Sequence, residues 1–295
     1  MRENGPVTSA TRQPETPAAA LPPRLIATDL DGTLLRDDKS VSERTVAALA
    51  AAEEAGIEVF FVTGRPARWM DVVSDHVHGH GLAICGNGAA VVDLHGGPGA
   101  HRFVKVRELA RENALDAVRL LRDAAPGTVF AIEQTYGFYQ EPAYPKLHME
   151  IPDTLAPAEQ LLAPDAPGGG EPVLKILAFH HELDPDAFLT VARRAVGDRA
   201  TITRSSPSAL LEISGPGVSK ASTLELCCAE RGITPEEVVA FGDMPNDVEM
   251  LTWAGTSYAM GNAHPAVIAA ASGRTVANNE DGVAVVIEKI LAERL

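Results

Sequence analysis

Residues 24–35 read RLIATDLDGTLL, and this stretch decides the fold. Its first half, RLIAT, is a short apolar run between Pro22-Pro23 and an Asp-Gly turn, the pattern of a buried parallel strand. Working outward, residues 41–55 (VSERTVAALAAAEEA) predict a helix with Ser42 as N-cap and Gly56 as the stop. IEVFFV at 57–62 is a second strand, a helix follows Thr63-Gly64-Arg65, and LAIC at 82–85 is a third strand. Strand and helix in alternation predict a right-handed α/β sheet with parallel strands.

The C-terminal quarter repeats the rhythm. A helix near 217–231 precedes a strand at 237–241, and further helices near 245–253, 264–270 and 281–294 alternate with short strands at 256–260 and 274–277. The middle differs. Strand patterns at 101–106, 128–139, 173–179, 200–204 and 209–213, with helices near 107–125 and 185–196, predict an α+β layer with an antiparallel sheet, inserted into the first domain. The expected organisation is a flexible tail at 1–23, a discontinuous core of 24–89 plus 208–295, and an inserted layer at 90–207.

The net charge of −15 over 295 residues lacks the basic footprint of a nucleic-acid binder and disfavours an anionic membrane. An anionic substrate would need positive charge supplied locally by a metal, Lys or Arg. Three cysteines, Cys85, Cys227 and Cys228, form no disulfide framework and predict free thiols in a reducing, cytoplasmic setting. No apolar run reaches transmembrane length, and the N-terminus carries no apolar segment of a secretory signal. A monomer and a small homo-oligomer are both compatible with the chain.

Four stretches carry chemistry. Asp29 and Asp31 lie two residues apart where the first strand ends, so both point the same way and can share a divalent cation, while Gly32 permits the tight turn. Ligands bind beyond the carboxyl ends of strands in an open parallel sheet. A carboxylate nucleophile beside a carboxylic acid suits that place, although a Ca²⁺-type or capping turn has the same pattern. Thr63, Gly64 and Arg65 offer a hydroxyl and amides as a phosphate cradle; alone they read equally as a plain turn. Asp243 and Asp247 in GDMPND could complete an oxygen-ligand Mg²⁺ site with Asp29, and Asn246 could bond a phosphate oxygen; alone the segment also reads as a capped helix start. Lys220 sits at a helix start, against the dipole, where an anion shared with the carboxylates would explain it and a solvated surface lysine is the alternative.

Together the stretches TDLDGTLL (28–35), VTGR (62–65), CGNGA (85–89), GVSK (217–220), GDMPNDVEML (242–251), AMGNA (259–263) and NNEDGVA (278–284) resemble the haloacid dehalogenase superfamily of phosphatases, more narrowly its Cof-like subfamily (subclass IIB). The resemblance spans residues 24–295, in pattern only from about 90 to 207. It implies a Rossmann-like parallel-sheet core with an inserted α/β cap and a Mg²⁺-dependent phosphomonoester hydrolase acting on a small phosphorylated metabolite, such as a sugar phosphate, through a phosphoaspartate. It further implies Asp29 as nucleophile and Mg²⁺ ligand, and Asp31 as general acid/base and Mg²⁺ ligand through its carbonyl. Asp243 would bind Mg²⁺, Asp247 support it, Thr63, Gly64 and Asn246 hold phosphate, Lys220 neutralise Asp29, and Asn87 sit near the cap–core cleft. On that mechanism Asp31 is protonated while Asp29 is ionised, so their environments should push the two pKa values apart. A phosphomutase-type phosphotransferase, or a non-catalytic phosphometabolite binder, would keep the same scaffold.

His76, His78 and His80 alternate and would share one face of a strand, where they could bind a metal; a loop before the third strand is the plainer reading. Cys227-Cys228 reads as small core residues rather than a redox pair, and Arg193-Arg194 as a solvated helix face.

Overall fold

The computed structural model describes residues 21–74, 81–146, 151–206 and 208–294, so most of the expected tail and the three alternating histidines lie outside the described residues. In chain order the strands are β1 (Leu25–Thr28), β2 (Glu58–Val62), β3 (Leu82–Cys85), β4 (Ala90–Asp93), β5 (Arg102–Val106), β6 (Val129–Gln134), β7 (Phe138–Gln140), β8 (Thr154–Leu155), β9 (Val173–Phe179), β10 (Thr201–Thr203), β11 (Leu210–Ser214), β12 (Val238–Gly242), β13 (Thr256–Ala259) and β14 (Gly273–Arg274).

They form two sheets. The first runs β14-β13-β12-β1-β2-β3-β4-β5, parallel from β14 to β3. Its central strands are apolar because helices cover both faces: Leu25, Ile26, Phe60 and Phe241 are fully buried. The helix Glu43–Glu54 starts at Ser42, whose hydroxyl accepts the Thr45 amide. The chain leaves β1 for β2 on one side and later returns to β12 on the other, so the order reverses at β1/β12, where both strand ends open onto a crevice.

The second sheet runs β10-β11-β9-β6-β7-β8, antiparallel except between β7 and β8. One face packs under the helices Arg111–Ala124 and Pro185–Val196, with Phe130, Ile132, Ile176, Leu211 and Ile213 in that core. The alternate residues, among them Glu133, Lys175, Leu177, Leu210 and Glu212, line the cleft between the sheets, as a strand period of two requires.

Sheet membership differs from the expected partition at both joints. After the turn at 86–89 the chain doubles back, and β4 and β5 extend the first sheet antiparallel beyond β3 instead of joining the inserted layer. They cover an edge that β3 would otherwise expose. At the other joint β11 joins the second sheet, as its strand pattern predicts, with Leu211 and Ile213 under the helices of that sheet, so the second sheet extends past the expected boundary at 207/208. The helix expected after Arg65 is a 3₁₀ turn, Ala67–Trp69, and one helical turn, Asp71–Ser74, delayed by Pro66. Among the described residues no helix is long and apolar enough to cross a membrane, and Cys85, Cys227 and Cys228 are buried free thiols.

Phe60 fills the core at the centre of the first sheet with no solvent exposure. Phe60→Ala is expected to cost roughly 3–5 kcal/mol, read as a lowered urea midpoint; a loss under about 1 kcal/mol would mean that the sheet is not closely packed there.

Candidate active site

The turn after β1 builds the site. The Asp29 amide donates to the Phe241 carbonyl at 3.1 Å, which ties the ends of β1 and β12 together. Gly32 sits at φ +76°, and a Cβ there would run into the Asp243 carboxylate, so a turn this tight against β12 needs glycine. The Thr33 hydroxyl donates to Asp243 at 3.0 Å.

Asp29, Asp243 and Asp247 are all buried, with oxygens lying within 4.8 Å of one another. Lys220, the first residue of the helix Lys220–Ala229 and 1% exposed, reaches in to donate to Asp29 Oδ1 at 2.7 Å and Asp247 Oδ1 at 2.6 Å. Asp247 Oδ2 accepts the amides of Asp243 and Met244, each at 3.0 Å, so both of its oxygens are engaged. Three carboxylates thus face one ammonium. Burial raises the Asp29 pKa well above its ordinary value; Lys220 opposes this, and Asp247 and Asp243 add repulsion. Burial and then Asp247 push Asp243 up to about 7. For Lys220, burial opposes the charge, but Asp247 and Asp29 outweigh it and raise the pKa. A buried cluster of hard oxygen donors with uncompensated negative charge fits a divalent cation such as Mg²⁺.

Asp31 lies on the open side, its carboxylate held by Arg65 Nε at 2.6 Å, Arg65 Nη2 at 2.7 Å and Lys39 Nζ at 2.8 Å. Burial alone would raise its pKa, but hydrogen bonds and charge from Arg65 and Lys39 hold it down to about 2. The environments of Asp29 and Asp31 do push the two pKa values apart, but in the opposite order to the one the mechanism requires. The reason is local: Asp29 is crowded by carboxylates, whereas Asp31 meets two cations.

Thr63 is buried beside Asp29, and its hydroxyl accepts the Arg65 amide at 3.1 Å. Asn87 occupies the left-handed region at φ 55°, which asparagine tolerates better than most side chains. Its amide N–H donates to the Thr63 carbonyl at 3.0 Å. Asp29, Asp31, Thr63, Gly64 and Asn246 line a cleft of about 590 Å³. Lys220, Asp243 and Asp247 stand behind that floor, while Asn87 is one hydrogen bond removed, its Oδ1 accepting from Asn246 Nδ2 at 3.0 Å. The structure therefore brings Asp29, Asp31, Thr63, Gly64, Lys220, Asp243, Asn246 and Asp247 together, with Asn87 behind Asn246 rather than on the wall.

The roof was not foreseen. Lys175 on β9 pairs with Glu212 on β11, both almost wholly buried, and Lys175 also donates to the Gly64 carbonyl at 2.7 Å. Burial disfavours the Glu212 charge, but Lys175, Ser205 and Asn87 together bring its pKa below the ordinary 4.5. Trp69, Phe138 and Tyr144 add an aromatic wall, and Arg68 lies 5.3 Å from the Phe138 ring and pairs with buried Glu133. The available signal was a charge inside an apolar strand, the Lys of VLKILAF and the Glu of LLEIS.

Against known proteins, a model of the haloacid dehalogenase-like hydrolase family matches residues 26–287. A 5-amino-6-(5-phospho-D-ribitylamino)uracil phosphatase of Bacillus subtilis is 31% identical over 271 residues, covering 89% of this chain and 95% of the relative. A pyridoxal phosphate phosphatase of Escherichia coli is 28% identical over 266 residues, 88% of this chain and 96% of the relative. In structure, a phosphatase of the same superfamily from Bacteroides thetaiotaomicron superposes with a TM-score of 0.76 at 23% identity, covering 96% of this chain and 99% of that one, which shows the shared fold.

The Lys175–Glu212 pair carries a testable cost. A glutamate with a depressed folded-state pKa stabilises the protein above its unfolded value, near 4.5, and that contribution is lost as pH falls through the folded pKa. Glu212→Gln leaves the Lys175 ammonium buried without its counter-charge and should cost about 3–5 kcal/mol at pH 7. The gap between the urea midpoints of variant and wild type should narrow below pH 4.5; a gap that is constant with pH would show that Glu212 is not ionised in the fold.

Proposed function

The chain belongs to the haloacid dehalogenase-like hydrolases and is a phosphatase of small phosphorylated metabolites, and from that premise we propose that it works through a Mg²⁺-assisted phosphoaspartate on Asp29. The observation that carries this reading is the buried Asp29–Asp243–Asp247 cluster against Lys220, open to a cleft at the strand ends. Asp29 and Asp243 would hold the ion, with the Asp31 carbonyl, while Asp247 fixes Lys220 and the turn behind them. When bound, Mg²⁺ supplies positive charge against the phosphoryl oxygens and favours an ionised Asp29.

Asp29 attacks phosphorus in line, and the ester oxygen leaves with a proton from Asp31. Asp31 then takes a proton from water as that water attacks the phosphorus of the acyl phosphate, releasing inorganic phosphate and restoring Asp29. Lys220 stays charged throughout and balances Asp29 as its charge moves onto the phosphoryl group. Thr63 and Asn246 hold phosphate oxygens. Asp31 can carry a proton only after its ion pairs loosen. An arriving phosphate dianion gives Arg65 and Lys39 a competing partner and so couples substrate entry to release of the acid.

The second sheet acts as the cap and meets the leaving group. Trp69, Phe138 and Tyr144, with Leu177 and Leu210, suit a leaving group with a flat apolar face. Two relatives are named for phosphates that carry a planar heterocycle, so a phosphate ester with a planar unsaturated ring is favoured here over a bare sugar phosphate.

Phosphate release from a metabolite panel should require Mg²⁺ and stop with EDTA, and Asp29→Asn should abolish it together with the hydroxylamine-labile phosphoryl group trapped by acid quench. Full activity of Asp29→Asn would refute the assignment, and phosphoryl transfer to a sugar without release would favour a mutase. Trp69→Ala should raise KM for pyridoxal phosphate about threefold to tenfold and leave that for glucose 6-phosphate unchanged; equal effects on both would remove the case for a ring.

A further inference from the structure

Lys175 and Glu212 belong to the second sheet, yet their hydrogen bonds end in the first. Lys175 Nζ donates to the Gly64 carbonyl at 2.7 Å, next to Thr63. Glu212 accepts from Lys175, from the Ser205 hydroxyl, and from Asn87 Nδ2 at 2.8 Å. An ionised carboxylate has acceptors only, so Asn87 must turn its NH₂ towards Glu212 and its Oδ1 away. That Oδ1 can then receive only a donor, which turns the NH₂ of Asn246 towards it, at 3.0 Å. Reversing the Asn246 amide would set oxygen against oxygen. Asn246 Oδ1 is left buried and without a hydrogen-bond partner, and the second hydrogen of Asn246 Nδ2 remains for a ligand in a residue that lines the cleft with Asp29. A carboxylate on the cap thus dictates, through two amides, which atoms the core presents to phosphate.

We propose that Lys175 and Glu212 are positioning residues that set the Asn87–Asn246 amide relay, so that the phosphoryl site takes its working orientation only with the cap docked. This rests on the reading of Asn246 as a phosphate contact. It assigns Asn87 the part of a relay rather than of a direct ligand. It also assigns the pair a role that sheet stability alone would not give, since both charges lie on the face turned towards the other sheet.

Three variants test it on the full-length protein with Mg²⁺ and p-nitrophenyl phosphate. Lys175→Met with Glu212→Gln removes both charges at similar volume and should keep a wild-type urea midpoint, because no lone charge is buried. A Gln at 212 can donate or accept, so the relay loses its polarity. Expected is a drop in kcat of about 100-fold, larger than any change in KM, and weaker binding of inorganic phosphate by calorimetry. Asn87→Gly suits the left-handed backbone and cuts the relay while Glu212 keeps Lys175 and Ser205. It should show the same loss even if the double variant fails to fold. Because both changes act through one path, all three substitutions together should lose no more than Asn87→Gly alone. Wild-type kcat and phosphate affinity in Asn87→Gly, or losses that simply multiply, would overturn the proposal and leave the pair a structural one. A wild-type protein that releases no phosphate would instead refute the phosphatase mechanism itself, before any variant is compared.

Discussion

Asp29, Asp243 and Asp247 repel one another inside the protein; the ammonium of Lys220 ties Asp29 to Asp247, and the Thr33 hydroxyl holds Asp243 beside them. Much of the architecture serves that contact. Lys220 comes from a helix start held by the Ser219–Ser222 capping box, Asp29 from the end of β1, and the other two from the turn after β12. A lysine at a helix N-terminus works against the dipole, so its place there is explained by the carboxylates and not by the helix. Burial and the neighbouring carboxylates raise the pKa values of Asp29 and Asp243, and added positive charge would oppose both effects. A buried cluster of this kind fits a divalent cation, the premise of the proposed phosphatase mechanism.

The cleft exists because two sheets with different periodic demands face each other. The first, apolar on both sides, presents chemistry only at its strand ends. The second is apolar on the face under its helices and presents alternate side chains to the cleft, so Leu177, Leu210 and the Lys175–Glu212 pair come from one sheet face. Lys175 crosses the gap to the Gly64 carbonyl and so ties the second sheet to the turn after β2 that is proposed to hold phosphate.

Asp31 shows how far local charge can oppose a catalytic role. Arg65 and Lys39 hold its carboxylate ionised, with a pKa of about 2, although an acid must donate a proton. The conflict resolves only when the same cations find a better anion. On the proposed mechanism, substrate phosphate would compete for Arg65 and Lys39 and so free Asp31 to act as the acid.

The core strands, the Ser42 helix cap and the residues at the strand ends were legible from the chain, because each depends on local pattern: apolar runs for strands buried on both faces, Ser42 before a helix, Asp-Gly at a turn. The floor of the site, from Asp29 to Asp247, was legible for the same reason, since the carboxyl ends of parallel strands converge wherever the fold is doubly wound. What lies above that floor was decided by tertiary structure. The membership of β4 and β5 depended on which edge needed covering. The ionisation of Asp31 depended on where Arg65 and Lys39 came to rest. The Lys175–Glu212–Asn87–Asn246 chain joins residues more than a hundred positions apart, and only packing brings such groups within hydrogen-bonding distance.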